Sequence, residues 1–157
     1  MMHYVLILAG GKGSRLKGGK IPKQFLKLEN LPILMHSIKA FKNADPNCDI
    51  HIALPRGYQS KWKALCKKYS FNTKHKIYIG GKRRIDTVAK GLKHIYKNML
   101  IKEKNFLNKK KREHLVSIHD SARPFINSKF ILELLNTAKR NGSAVPVVEL
   151  KNSLRKI

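Results

Sequence analysis

Residues 7–25 read ILAGGKGSRLKGGKIPKQF and set five glycines and five basic residues directly after an apolar run. Bare glycine backbone lets N–H groups approach an anion without obstruction from Cβ, and successive amides of this kind form a concave site for phosphate oxygens. Arg15 and Lys23 add mobile positive charge on either side, and Pro22 stiffens the return. Such a stretch could cradle a triphosphate. It is neither of the named phosphate motifs. The dinucleotide pattern fails because Gly11-Lys12-Gly13-Ser14-Arg15 runs on to Leu16, and the Walker pattern fails because Ser14 and Ile21 stand at its first and last positions. Two further clusters have the same character. GGKRR (80–84) follows another apolar run, and HDSARP (119–124) sets a carboxylate among cations.

These clusters can act together only if the elements before them bring their ends to one place. HYVLIL (3–8), DIHIALP (49–55), KIYIGG (76–81), LVSIHD (115–120) and SAVPVVEL (143–150) read as strands, most of them closed by glycine, proline or a carboxylate. Between them, 31–41, 60–69, 84–99 and 130–140 carry apolar residues at helical spacing, the last stopped by Asn141-Gly142. This repeated βαβ order calls for an α/β fold, an open and mostly parallel Rossmann-like sheet with helices on both faces. In such sheets ligands bind at the carboxyl ends of the strands, where the three clusters fall.

With 157 residues the chain is sized for one domain and is short for two cores. No stretch approaches a membrane span, and MMHYVLILAGG lacks both a basic start and a long apolar region, so a cytoplasmic protein is expected. Cys48 and Cys66 have neither disulfide nor zinc spacing and read as buried thiols. The net charge of +25 would attract any polyanion. The cations are mostly lysine and are scattered along the chain, without the aromatic or arginine-rich patterns of nucleic-acid recognition, so a solvated basic face is favoured. Binding of nucleic acid or another polyanion, without catalysis, stays as the alternative class.

AGGKGSR, PKQF (22–25), GGKRRIDTVAKGL (80–92), HDSARPF (119–125) and the terminal KNSLRKI, in that order, resemble the 2-C-methyl-D-erythritol 4-phosphate cytidylyltransferase family, within the nucleotide-diphospho-sugar transferase class. The resemblance implies transfer of CMP from CTP to a polyol phosphate with release of pyrophosphate, in non-mevalonate isoprenoid synthesis. Relatives acting on ribitol phosphate or other sugars share most of these motifs, so the acceptor is less specified than the reaction. Carried over position by position, the resemblance gives Arg15 and Lys23 the catalytic role of holding the triphosphate and the transition state. It assigns Gly11, Gly13 and Ser14 to the phosphates, and Ala9, Gly10, Gly81 and Thr87 to the cytosine pocket. Asp120, one of nine acidic residues, becomes the magnesium-side carboxylate, and Mg²⁺ is the implied cofactor. Arg123 and Ser153 fall near the acceptor phosphate. His119 reads as a packed histidine, and Asp86 as a helix-start carboxylate within reach of Arg84.

The sequence departs from the family at several points. Asn152-Ser153 keeps a hydroxyl but loses a carboxylate, Lys82 replaces a common acid, and 97–112 reads as a longer, basic surface loop. The family's chains continue past the KNSLRKI position through a dimerisation arm and a helical portion with further acceptor contacts. The sequence therefore reads as a C-terminally shortened nucleotidyltransferase core, and the family's homodimer is expected without its arm.

Overall fold

The computed structural model describes residues 1–11, 21–103 and 113–149. Its centre is β1 (Met2–Leu8), whose run of apolar residues is buried almost throughout. Such a strand must be flanked on both edges and covered on both faces. Both edges are taken: β4 (Asp49–Leu54) pairs with β1 on one side and β6 (His114–Asp120) on the other, each parallel. β5 (Lys76–Ile79) joins β4, also parallel, giving the order β5-β4-β1-β6. The expected open parallel sheet is therefore present.

One face carries the main core. Val5 and Ile7 of β1 and Ile50, Ile52 and Leu54 of β4 pack beneath α1 (Ile33–Ala44), α2 (Gln59–Lys68) and α4 (Ser128–Asn141), which contribute Leu34, Met35, Ile38, Phe41, Trp62 and Ile131. Each fully buried side chain of this size contributes about 1.5–3 kcal/mol. The other face carries α3 (Arg84–Glu103), whose Ile95 closes on Tyr4 and Leu6. Gly91 lets it come close, since a Cβ there would stand 2.5 Å from the Tyr78 hydroxyl and 2.8 Å from Leu6 Cδ2.

Three local features differ from the sequence reading. Residues 97–103 continue α3 as helix instead of opening a basic loop, because lysine, methionine and leucine there are good helix formers; 104–112 lie outside the described residues. The helix expected from residue 31 starts at Ile33, after a short hairpin of β2 (Lys27–Leu28) and β3 (Leu31–Pro32) that turns through Glu29 at φ 53°. The expected last strand is absent over 143–149, where Val145, Val147 and Val148 are 79–89% exposed. A strand needs a neighbour for its backbone groups. Among the described residues β6 pairs only with β1. The stop at Asn141-Gly142 stands, with Gly142 left-handed at φ 81°.

Buried and half-buried histidines link this packing to protons. His75 Nδ1 bonds the Thr73 carbonyl at 2.7 Å, and its Nε2 accepts from Trp62 Nε1 at 2.9 Å, an arrangement that requires the neutral ring. His51 and His94 bring their Nδ1 atoms to 3.0 Å and can share only one proton there. Burial lowers the pKa of His3, His75, His94 and His119; neighbouring His51 and Lys76 lower His94 further, while Asp45 partly offsets the effect at His3.

A lowered folded pKa means that the unfolded chain binds protons first. Stability is then fully present above the ordinary histidine value of about 6.5 and is lost as pH falls through the folded values. The thermal midpoint is expected to fall between about pH 7.5 and about pH 5.5. His75→Gln should shrink that drop; scanning calorimetry at both pH values checks it, and an unchanged midpoint would contradict the coupling.

Candidate functional site

The parallel sheet turns its strand C-termini to one rim, and the sequence clusters arrive there through backbone bonds that prolong the ladder. Ala9 N–H donates to Ala53 O at 3.1 Å, Gly80 N–H to Leu54 O at 2.9 Å, and Ser121 N–H to Leu8 O at 3.2 Å. Ala9–Gly11 and Gly80–Gly81 thus lie beyond β1 and β5, and Asp120–Ser121 stands at the end of β6.

Two of these segments touch through glycines. A Cβ on Gly80 would come within 3.3 Å of Gly10 Cα, tighter than nine in ten real Cβ contacts, so the β1 and β5 ends meet backbone to backbone. Gly81 is still more constrained. A Cβ there would lie 2.4 Å from Asp86 Cβ and 2.8 Å from Asp86 C, because the β5–α3 connection folds back on the first turn of the helix. Thr87 holds that turn from inside. It is 5% exposed, its hydroxyl accepts from Gly81 N–H at 2.9 Å, and it donates to Arg83 O at 3.1 Å. Ala9, Gly10, Gly81 and Thr87, the four pocket positions expected from sequence, therefore come together, with the Thr87 side chain against the glycines and bonded to Gly81.

Lys23 opens a single 3-10 turn, Lys23–Phe25, closed by Phe25 N–H to Pro22 O at 2.9 Å and Leu26 N–H to Lys23 O at 3.0 Å. The turn is held by the Phe25 ring, stacked on Tyr58 at 5.5 Å and lying 6.3 Å from Trp62. Lys23 is half-buried, and among the described residues no carboxylate pairs with it. Gln24 ties the turn to the β1 end: its Nε2 donates to Ala9 O at 2.6 Å and to Gly11 O at 3.2 Å.

Asp120 ends β6 on the same rim. Arg84 Nε lies 3.2 Å from Oδ1 and Arg123 Nε 3.8 Å from Oδ2, and Arg123 N–H closes the turn on Asp120 O at 3.0 Å. Asp86 takes a different partner from the one expected, pairing with Arg83 at 2.9 Å and accepting from Arg83 N–H at 3.1 Å; Arg84 reaches Asp120 instead. That leaves a lone carboxylate among arginines, and no group of three metal-binding side chains exists among the described residues. Such a set fits a hard cation held by one protein carboxylate with the remaining oxygens coming from phosphates and water. His119 is packed as expected, 8% exposed and edge-on to Phe41 at 5.3 Å. Cys48 is buried, with its thiol pushed up to about 11, and Cys66 is partly buried. Arg15, Gly13, Ser14 and Ser153 lie outside the described residues.

Two residues escaped the sequence reading, Gln24 and Arg84. A polar residue between Lys23 and an aromatic signals a buried hydrogen bond, but nothing in sequence names its partners. Arg84 was visible as a cation, and only the fold shows that α3 begins opposite Asp120.

Comparison with known proteins follows the same outline. The family described as 2-C-methyl-D-erythritol 4-phosphate cytidylyltransferase matches residues 3–157. Curated proteins of that name from Phocaeicola vulgatus and Bacteroides thetaiotaomicron are 36% and 34% identical over 155 residues. The match takes in 99% of this chain and 64% of each relative, so the chain spans less than two thirds of their length. Among solved structures, 4-diphosphocytidyl-2C-methyl-D-erythritol synthase from Anaerococcus prevotii superposes with a TM-score of 0.62 at 17% identity, over 89% of this chain and 52% of that one. The bifunctional IspDF from Campylobacter jejuni gives 0.63 at 21% identity, over 89% and 31%. These similarities show the fold.

Because Gly81 meets backbone and Cβ atoms, Gly81→Ala forces the turn open. A loss of about 1–3 kcal/mol is expected in chemical denaturation. Gly11→Ala, with nothing within 4 Å of the added methyl, serves as the paired control and should cost far less.

Proposed function

This chain belongs to the 2-C-methyl-D-erythritol 4-phosphate cytidylyltransferase family, and on that premise we propose that its rim binds CTP and transfers CMP to a polyol phosphate. The observation that carries the reading is the convergence, through Gly10–Gly80 contact and the Gln24 bonds, of bare glycine backbone with a lysine that no carboxylate pairs among the described residues. In the reaction an oxygen of the acceptor phosphate attacks the α-phosphorus. The bond from that phosphorus to the oxygen bridging to the β-phosphate breaks, and pyrophosphate leaves.

Transfer of this kind asks the protein mainly for position and charge. Lys23 is assigned to the triphosphate and to the charge that grows on its oxygens, with Arg15, Gly11, Gly13 and Ser14 as further phosphate contacts. Ala9, Gly10 and Gly81 frame a slot in which backbone groups can meet a pyrimidine edge, and Thr87 keeps that slot in shape. Asp120 would hold Mg²⁺, which when bound neutralises phosphate charge; Arg84 and Arg123 are then free to face phosphate oxygens. Arg123 and Ser153 are assigned to the acceptor. 2-C-methyl-D-erythritol 4-phosphate is the acceptor the family's name supports, with ribitol phosphate as the competitor to be tested. A cytoplasmic enzyme of non-mevalonate isoprenoid synthesis fits this reading, and no described helix is long and apolar enough to cross a membrane. The family's homodimer is proposed with it.

Pyrophosphate release by the purified chain with Mg²⁺, each of the four nucleoside triphosphates and either acceptor tests the assignment. CTP is expected to be preferred, and Lys23→Ala to lower turnover about 10²–10³-fold. Binding that ignores the base, falls steeply with salt and survives Lys23→Ala would overturn it in favour of a general polyanion binder.

A further inference from the structure

Gln24 is 4% exposed between Lys23 and Phe25, and its amide nitrogen has two protons. Both are engaged across the site, one on Ala9 O at 2.6 Å and one on Gly11 O at 3.2 Å. Peptide units are planar and trans, so a carbonyl turned toward Gln24 aims the following N–H the opposite way. Gln24 therefore sets the direction of the Gly10 amide. The second bond holds the Gly11 carbonyl, at a residue where an added Cβ would meet no described atom within 4 Å, so that packing among the described residues does not fix it.

The other end of the glutamine is rigid. Its backbone lies in the closed 3-10 turn, and the neighbouring Phe25 is 6% exposed against Tyr58 and Trp62. A displacement of the Ala9–Gly11 carbonyls would thus strain the turn that carries Lys23. We propose that Gln24 is a positioning residue for the nucleotidyl transfer: it fixes the backbone donors at the end of β1 relative to the Lys23 ammonium, and so the triphosphate relative to its cation. This rests on the nucleotidyltransferase reading above. The residue type follows from the chemistry. Glutamate at the same reach would set acceptors against acceptors, methionine would fill the space without donating, and lysine would bring an unneeded charge into a buried place.

Two variants and two readouts test it. Gln24→Met keeps length and removes both donors, and a misplacement of this kind is expected to lower kcat about 10²-fold with a smaller change in the CTP dissociation constant. Gln24→Glu should show the same loss at about pH 8.5 and recover part of it toward about pH 6, where a buried carboxyl takes up a proton and becomes a donor. The Gln24→Met deficit relative to the unaltered chain should stay constant over that range. Independently of turnover, the amide resonances of Gly10 and Gly11 recorded without nucleotide should move in both variants, with thermal melting confirming that each is folded. Unmoved resonances, or equal deficits in the two variants at every pH, would overturn the proposal. If the unaltered chain shows no CTP-dependent turnover, the reaction assignment fails separately, and the resonances still decide whether Gln24 orients the β1 end.

Discussion

Everything at the rim depends on β1 being enclosed. With β4 and β6 on its edges, the main core on one face and α3 on the other, this strand has no free direction except along its axis. Its last residues leave the sheet already fixed, and the ends of β4, β5 and β6 are registered to them by parallel pairing. A site built on that end inherits the stiffness of the core. The glycines then act by removing bulk at contacts whose positions the strands have already set, as Gly10 against Gly80 shows.

Charge is the second organising constraint. Only nine acidic residues face 34 lysines and arginines, and several are engaged locally: Asp45 with His3, Asp49 with Lys76, Asp86 with Arg83, Asp120 with Arg84 and Arg123. The exposed pairs add little stability individually. Their effect is geometric, since each determines which cation is left to meet a ligand. Arg83 is held by Asp86, and its guanidinium is correspondingly harder to deprotonate. Among the described residues Arg84 is held only by Asp120, a carboxylate that a cation could claim.

Much of this was legible from residue order. Apolar runs ending in glycine or a carboxylate marked β1, β5 and β6 to within a few positions; β1 is apolar because it is buried on both faces, whereas the edge strands β5 and β6 are only partly covered. Asn141-Gly142 marked the end of α4 through the left-handed geometry that glycine tolerates. Sequence reasoning failed where the outcome depended on neighbours. SAVPVVE has strand composition, but composition does not supply a pairing edge. The basic run after Tyr96 looks like a loop, yet its lysine, methionine and leucine carry α3 on as helix to Glu103. Arg83 and Arg84 are adjacent in sequence, and only their directions at the start of α3 divide them between Asp86 and Asp120. The site was similarly divided: the glycines and Lys23 announced themselves by type, whereas Gln24 acts through partners 13 and 15 residues away.

The chain contains a single tryptophan, and its surroundings give it an optical meaning. Trp62 donates its indole proton to a neutral imidazole and lies near the aromatic ring that follows Gln24. An imidazolium quenches indole emission far better than imidazole does, and indole emission also shifts when a neighbouring ring or its hydration changes. The molecule therefore carries an intrinsic fluorophore with His75 on one side and the lysine turn on the other. Loss of the neutral histidine and movement of the turn would both register as changes in the light of one side chain, without any label.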